Sequence, residues 1–220
     1  MILLHLDDPI VTDRPDFTES ALVVPLFRRQ LETGFTFECA SGADTLTLPE
    51  ALFRYGVARN WEIRLGSPDF QRTAGLQGWG DSYVGAKHQL GPIGSYDVAV
   101  ILATTVPTGR AAMSARRFEP EWNLCVSRDL TGMDSLSGML RHSPSARSLD
   151  FTLSYGRSLS DRTSLFAEYA GTCSNAQPAH IAHGGIVFRP SPDRQFDLHF
   201  GARINAERLA FIGAGYSVRF

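Results

Sequence analysis

The chain has 220 residues, with 21 Lys+Arg against 23 Asp+Glu for a formal net charge of −2. That balance offers no basic field for nucleic acid and no acidic tail. Hydrophobic residues make up 43% of the chain, yet no run of about 18 apolar residues occurs, so a transmembrane helix is excluded.

The chain opens on Met1-Ile-Leu-Leu-His-Leu-Asp-Asp, which is too short and too soon acidic for a secretory signal peptide. Pro9, Pro15 and Pro25 follow and disfavour regular structure. Residues 1–27 therefore read as an N-terminal extension before a domain spanning 28–220. Its polar stretch, Asp13, Arg14, Pro15 and Asp16, suits either a plug inside a polar lumen or a loose tail.

From there the pattern has period two, the signature of strands with two unlike faces. Leu31, Thr33, Phe35, Phe37 and Cys39 alternate with Gln30, Glu32, Gly34, Thr36 and Glu38. Trp61, Ile63 and Leu65 alternate with Glu62, Arg64 and Gly66, and Phe151 and Leu153 with Asp150, Thr152 and Ser154. Phe196, Leu198 and Phe200 alternate with Asp197, His199 and Gly201. Twelve strands are placed at 28–40, 45–58, 60–67, 79–90, 95–106, 120–130, 134–143, 148–159, 162–173, 180–189, 194–204 and 208–220. Short connections at 58–60, 91–94, 131–133, 160–161 and 190–193 alternate with a second set at 41–44, 67–78, 107–119, 144–147, 174–179 and 205–207. Two of that second set are long. This is what an up-and-down antiparallel barrel produces, with tight periplasmic turns, larger outer loops and an even strand number.

Alternation does not say which face is inside. A soluble barrel or sandwich binding a small ligand would bury the apolar face; a transmembrane barrel turns it to lipid. The polar face here carries Gly, Ser and paired opposite charges. Glu32, Glu38, Glu50, Glu62, Glu168 and Asp197 are expected to meet Arg54, Arg64, Lys87 (the only lysine), Arg141, Arg203 and Arg219 inside a lumen, with Asp81 and His199 also lining it. Glu168 interrupts the apolar run Leu165-Phe166-Ala167 and is predicted to point inward beside an arginine. An outward carboxylate near the membrane midplane would cost up to a few kcal/mol.

Chemistry finds little support. His142-Ser143 is the one adjacent pair suited to a hydrolase, and it lacks an orienting partner in sequence. His180, His183 and His199 lack the Cys or carboxylate pattern of a metal centre. Cys39, Cys125 and Cys173 are odd in number and form no metal spacing. No enzyme, cofactor or metal is expected. In the last strand Ile212, Ala214, Tyr216, Val218 and the terminal Phe220 share one face. Tyr216, Val218 and Phe220 resemble the C-terminal signal that barrel assembly machinery reads in outer-membrane proteins.

An ordered set of motifs then resembles one family. Thr12-Asp13-Arg14-Pro15-Asp16-Phe17-Thr18-Glu19 is followed by Gln30-Leu31-Glu32-Thr33-Gly34-Phe35, Leu48-Pro49-Glu50, Leu52-Phe53-Arg54-Tyr55-Gly56 and Glu62-Ile63-Arg64-Leu65-Gly66. Further along come Gly80-Asp81, Gly85-Ala86-Lys87, Val106-Pro107-Thr108-Gly109, Ser164-Leu165-Phe166-Ala167-Glu168-Tyr169, Gly184-Gly185, Asp197 and Gly215-Tyr216-Ser217-Val218-Arg219-Phe220. The set is similar to the outer-membrane transporter family named after the MetA pathway of phenol degradation, over about residues 10–220. The resemblance implies a barrel in the outer membrane of a Gram-negative bacterium, surrounded by its lipid. It would pass small solutes, hydrophobic or aromatic ones by family analogy. Its members normally carry a signal peptide, so an exported barrel is expected either to have lost one ahead of Met1 or to start upstream of it. A structural barrel without transport is the alternative.

Overall fold

A computed structural model describes residues 8–174, 178–205 and 209–220. Residues 1–7 of the expected extension, and parts of the expected connections at 174–179 and 205–207, lie outside them. Alternation becomes fifteen strands, β1 (Arg29–Ala40), β2 (Thr45–Leu48), β3 (Leu52–Ala58), β4 (Trp61–Gly66), β5 (Phe70–Thr73), β6 (Leu76–Trp79), β7 (Ser82–Ile93), β8 (Tyr96–Val106), β9 (Glu119–Asp129), β10 (Asp134–Ser143), β11 (Ser148–Ser158), β12 (Thr163–Cys173), β13 (Ala179–Ser191), β14 (Arg194–Arg203) and β15 (Leu209–Arg219). Each pairs antiparallel with its neighbours, and β15 returns to β1 from Gln30↔Arg219 to Ala40↔Leu209, so the sheet closes. Closure leaves the long strands without a free edge, which a spanning sheet requires because lipid cannot satisfy an open ladder. Among the described strands only the short β6 at one end pairs on a single side.

Three pairs of strands are single staves broken partway. β2 continues into β3, β4 into β5 and β6 into β7, which gives twelve staves around the barrel. The expected strand at 45–58 is thus interrupted at Pro49-Glu50-Ala51. The expected long loop at 67–78 is instead the top of the barrel, formed by β5, β6 and the tight turn Ala74-Gly75 between them. Pro49 and Pro68 cannot donate to a ladder, so the staves break there. The breaks lie level with one another and are bridged by Ser67 N–H to the Ala51 carbonyl at 2.9 Å and Gly80 N–H to the Asp69 carbonyl at 2.8 Å. The turn expected at 91–94 falls later, because Gly91, Pro92 and Ile93 still pair with Val98, Asp97 and Tyr96.

Burial decides which face is which. Leu102 and Phe200 are each 63% exposed on the outer surface, and Phe35, Ile63, Leu65, Leu153, Ile186 and Ile212 share that face. Glu32, Arg54, Glu62 and Lys87 are 0% exposed inside. A water-soluble barrel cannot present so much apolar surface around a charged interior. The strands of 10–13 residues also suffice to cross a bilayer when tilted. The fold is a membrane-spanning barrel, and the soluble reading falls.

Candidate functional site

Residues 8–28 enter the closed sheet rather than leaving it. Ile10, Ala21, Val23 and Val24 are buried at 5% exposure or less, and Leu26 bridges to Gly56. Three contacts fix the path. At the lower end, Gln30 donates to the Val11 carbonyl at 2.9 Å, and Gln195 donates to the Thr12 hydroxyl at 2.7 Å. In the middle, Asp13 turns to Arg54, Arg64 and Lys87 on β3, β4 and β7, and Arg14 turns to Glu50 and the adjoining β1/β15 seam. Further on, Val24 N–H reaches Glu62 at 2.8 Å.

The wall of β1, β3, β4 and β7 forms an ion network. Arg54 binds Glu62 through Nε and Nη2, both at 2.9 Å, and Glu32 through Nη1 at 2.8 Å. Arg64 binds Glu62 at 2.9 Å, Asp13 by a short contact, and Glu19. Lys87 Nζ donates to both Asp13 oxygens at 2.9 and 3.0 Å and to the Ser20 carbonyl at 2.9 Å. The segment thus supplies anions that the wall lacks. Burial alone would raise the Asp13 carboxyl, but the charges of Arg54, Lys87 and Arg64 hold it well below the usual carboxylate range. Burial pushes the neighbouring Glu19 carboxyl up to about 7, against the charge of Arg64.

The opposite wall takes the segment by its backbone. Glu168 on β12 accepts from Phe17 N–H at 2.9 Å, Thr18 N–H at 2.8 Å and the Thr18 hydroxyl at 2.6 Å. Its carboxylate points into the lumen, and His183 rather than the expected arginine stands beside it at 2.7 Å. His183 in turn meets His199 at 3.0 Å. Phe17 packs on His183 and Phe211, with ring centroids 4.7 and 5.9 Å apart. Between the two charged walls, Ala99, Ile101, Cys125 and Met139 pack on Ala21.

Of the expected lumen residues, Glu32, Arg54, Glu62, Arg64 and Lys87 meet in one cluster. Glu50 and Asp197 are drawn to Arg14 of the segment, at 3.0 and 3.5 Å, not to wall arginines. Arg141 lies 3.8 Å from Glu121 instead of the predicted acids, and Arg219 binds Asp193 and the Asp8 carbonyl near the periplasmic turns. Glu38 and Arg203 stand half-buried towards the outer ends of their strands. Asp81 accepts from Gly109 and Ala115 N–H at 2.8 and 2.9 Å, so it anchors the loop after β8 while bordering the outer vestibule. Asp16 borders the inner vestibule with Arg14. His180 faces outward and stacks on Tyr169, apart from His183 and His199, and His142 lies against Trp122.

Sequence reasoning missed Phe17, Thr18, Glu19, His183 and Gln195. Their inward parity on β13 and β14 was available for the last two; for the segment residues only the motif hinted at a role.

Two cavities flank the segment. One, of about 220 Å³, lies towards the periplasmic turns among Ser135, Ser137, Ser154, Ser164 and Arg189. The other, of about 510 Å³, opens outward among Glu19, Glu50, Asp69, Tyr83 and Arg141.

The family model described as "Putative MetA-pathway of phenol degradation" matches residues 12–220. A search of curated protein sequences gives no match. Among solved structures, the chain is similar to the COG4313 outer membrane channel from Pseudomonas putida F1, with 12% identity, TM-score 0.72, and 91% of this chain covering 98% of that one. It is also similar to the KdgM porin, with 11% identity, TM-score 0.61, and 86% covering 99%. A third likeness is the CymD monoaromatic hydrocarbon channel, with 10% identity, TM-score 0.56, and 89% covering 89%. At these identities the likeness is one of fold, a barrel of the outer-membrane type.

Proposed function

We propose that this chain, which belongs to the family described as "Putative MetA-pathway of phenol degradation", is a passive outer-membrane pore for small molecules, closed at rest by its N-terminal segment. The observation that carries this reading is the pair of anchors on opposite walls. Asp13 joins Arg54, Arg64 and Lys87 on one side, while Phe17 and Thr18 join Glu168 on the other. A chain held on both sides lies across the lumen, and the two vestibules are the remnants of the path it interrupts.

A non-enzymatic role suits the barrel better, since in the His142-Ser143 pair the His142 ring packs on Trp122 and its Nδ1 stands 3.2 Å from the Ser148 carbonyl. The outward faces of Tyr216, Val218 and Phe220 on the last strand suit recognition by the assembly machinery, and the apolar girdle suits lipid. Removing residues 1–20 should raise single-channel conductance several-fold in planar bilayers. Unchanged conductance from a folded barrel would contradict the plug. No conductance in either form would favour the second reading, a structural barrel without transport, which the filled lumen also supports.

A further inference from the structure

Asp13 and Arg14 are neighbours of opposite charge, and the lumen holds each in a place shaped for it. From this we infer that the lumen contains a two-part subsite for a small zwitterion, of which the Asp13-Arg14 pair is the resident occupant. The inference rests on the plugged-pore reading and names the class of solute that would replace the plug.

The anion half lies on β3, β4 and β7. Arg54 is already matched by Glu32 and Glu62 on the wall itself. Arg64 shares Glu62, and Lys87 approaches that carboxylate only at 4.0 Å. Without the segment, three cations there face two wall carboxylates, so the place of Asp13 calls for another anion. Buried cations need such a partner, because an unmatched one is strongly unfavourable.

The cation half lies at the β1/β15 seam. Gly34 and Gly215 pair across that seam and leave a slot in which the Arg14 guanidinium lies. A Cβ at Gly215 would sit 2.5 Å from Arg14 Nε and 2.8 Å from the Asp197 carboxylate, and one at Gly34 would collide with the guanidinium. Glu50 and Asp197 flank the slot, and the Ala214 carbonyl accepts from the same guanidinium at 3.5 Å. With Arg14 withdrawn, these two carboxylates lose the cation that pairs them.

The halves select together. A lone anion would answer Lys87 and leave Glu50 and Asp197 unmatched; a lone cation would do the reverse. An apolar solute would match neither and would leave the desolvated charges unanswered. A solute of amino-acid or short-peptide size, with a carboxylate and an amino or guanidino group, satisfies both. Unlike charges on adjoining parts of the wall also orient such a dipole as it passes.

The test uses the full chain carrying Asp13→Asn and Arg14→Gln in proteoliposomes, with folding checked by heat-modifiable migration. Swelling is read with the zwitterion γ-aminobutyrate and with erythritol, a neutral solute of similar size. The zwitterion should enter at least about threefold faster, and adding Lys87→Gln should pull that ratio towards one. Equal rates for the two solutes would overturn the subsite and leave the plugged pore standing. Where the Glu168 anchor keeps the substituted chain shut, the same ratio is read after removal of residues 1–20, and no entry of either solute then would overturn the plug, and the subsite with it. A second measurement needs no variant: excess γ-aminobutyrate should raise the open fraction of the unmodified channel by competing with the tether, and erythritol should not. An equal response to both would also overturn the proposal.

Discussion

The barrel wall grips its N-terminal segment in two unlike ways. Along β3, β4 and β7 the inward residues are Arg54, Glu62, Arg64 and Lys87, all at 1% exposure or less and all in ion pairs. Midway along β8, β9 and β10 the inward residues that meet the segment are Ala99, Ile101, Cys125 and Met139, which touch Ala21 by packing alone. The charged wall holds in direction and distance; the apolar wall only fills space. Removing one charge strands its partners in a dry interior, whereas trimming or enlarging an apolar side chain shifts a few contacts. The segment should therefore stay registered to the charged wall and swing from the smooth one.

The contrast predicts a graded set of effects. Arg54→Ala should be the most damaging, because Glu32 and Glu62 would face one another without their shared cation. A loss of about 3–5 kcal/mol is expected for one partner of a buried ion pair, read as a lower temperature for the heat-induced gel shift. A shift no larger than that of a surface variant such as Arg117→Ala would break the comparison. Ala21→Leu should cost less, about 1–3 kcal/mol of overpacking against Ala99 and Met139, and should show as a raised open probability in bilayers more than as a lower melting temperature. If it proves as damaging as Arg54→Ala, the smooth wall is not smooth.

The smallest effect expected is pH dependence through Glu19. Its carboxyl in the seated segment titrates near 7 against an ordinary 4.5, because burial disfavours the charge. The seated state therefore holds a proton that the released state gives up between those values. Its contribution to seating is complete below about pH 4.5 and is lost as the pH rises to about 7. The open fraction should climb modestly from pH 5 to pH 8, and Glu19→Gln should flatten that slope. A slope that survives the substitution would assign the effect to another group.

Much of this was legible in the sequence where local pattern dictates structure. The alternation in β1, β4, β11 and β14 gave the faces, and the parity of Glu32, Arg54, Glu62, Arg64 and Lys87 put them in one lumen. The strand expected at 45–58 omits the break at Pro49, and 67–78 reads as a loop because Gly75, Gly78 and Gly80 look like one, whereas the chain uses a two-residue turn and keeps its ladder on either side. Glu168 was expected to need an arginine because carboxylates usually do. Here two backbone N–H groups and a hydroxyl, some 150 residues away in sequence, supply the hydrogen bonds. No local pattern encodes that meeting. For the same reason the Asp13-Arg14 stretch reads equally as plug or tail, and nothing local names Glu50 and Asp197 as the partners of Arg14.

The central claim is that solutes pass only when residues 8–28 leave the lumen. Thr18 and Thr152 place their hydroxyl oxygens 2.6 Å apart, one on the segment and one on β11. A Thr18→Cys/Thr152→Cys variant, made with the exposed Cys39 and Cys173 replaced by serine, would tie the two under oxidation. The account predicts that the oxidised protein stays folded and silent in bilayers, and that reduction restores the openings of the untied channel. Oxidised channels that conduct as well as reduced ones would contradict it.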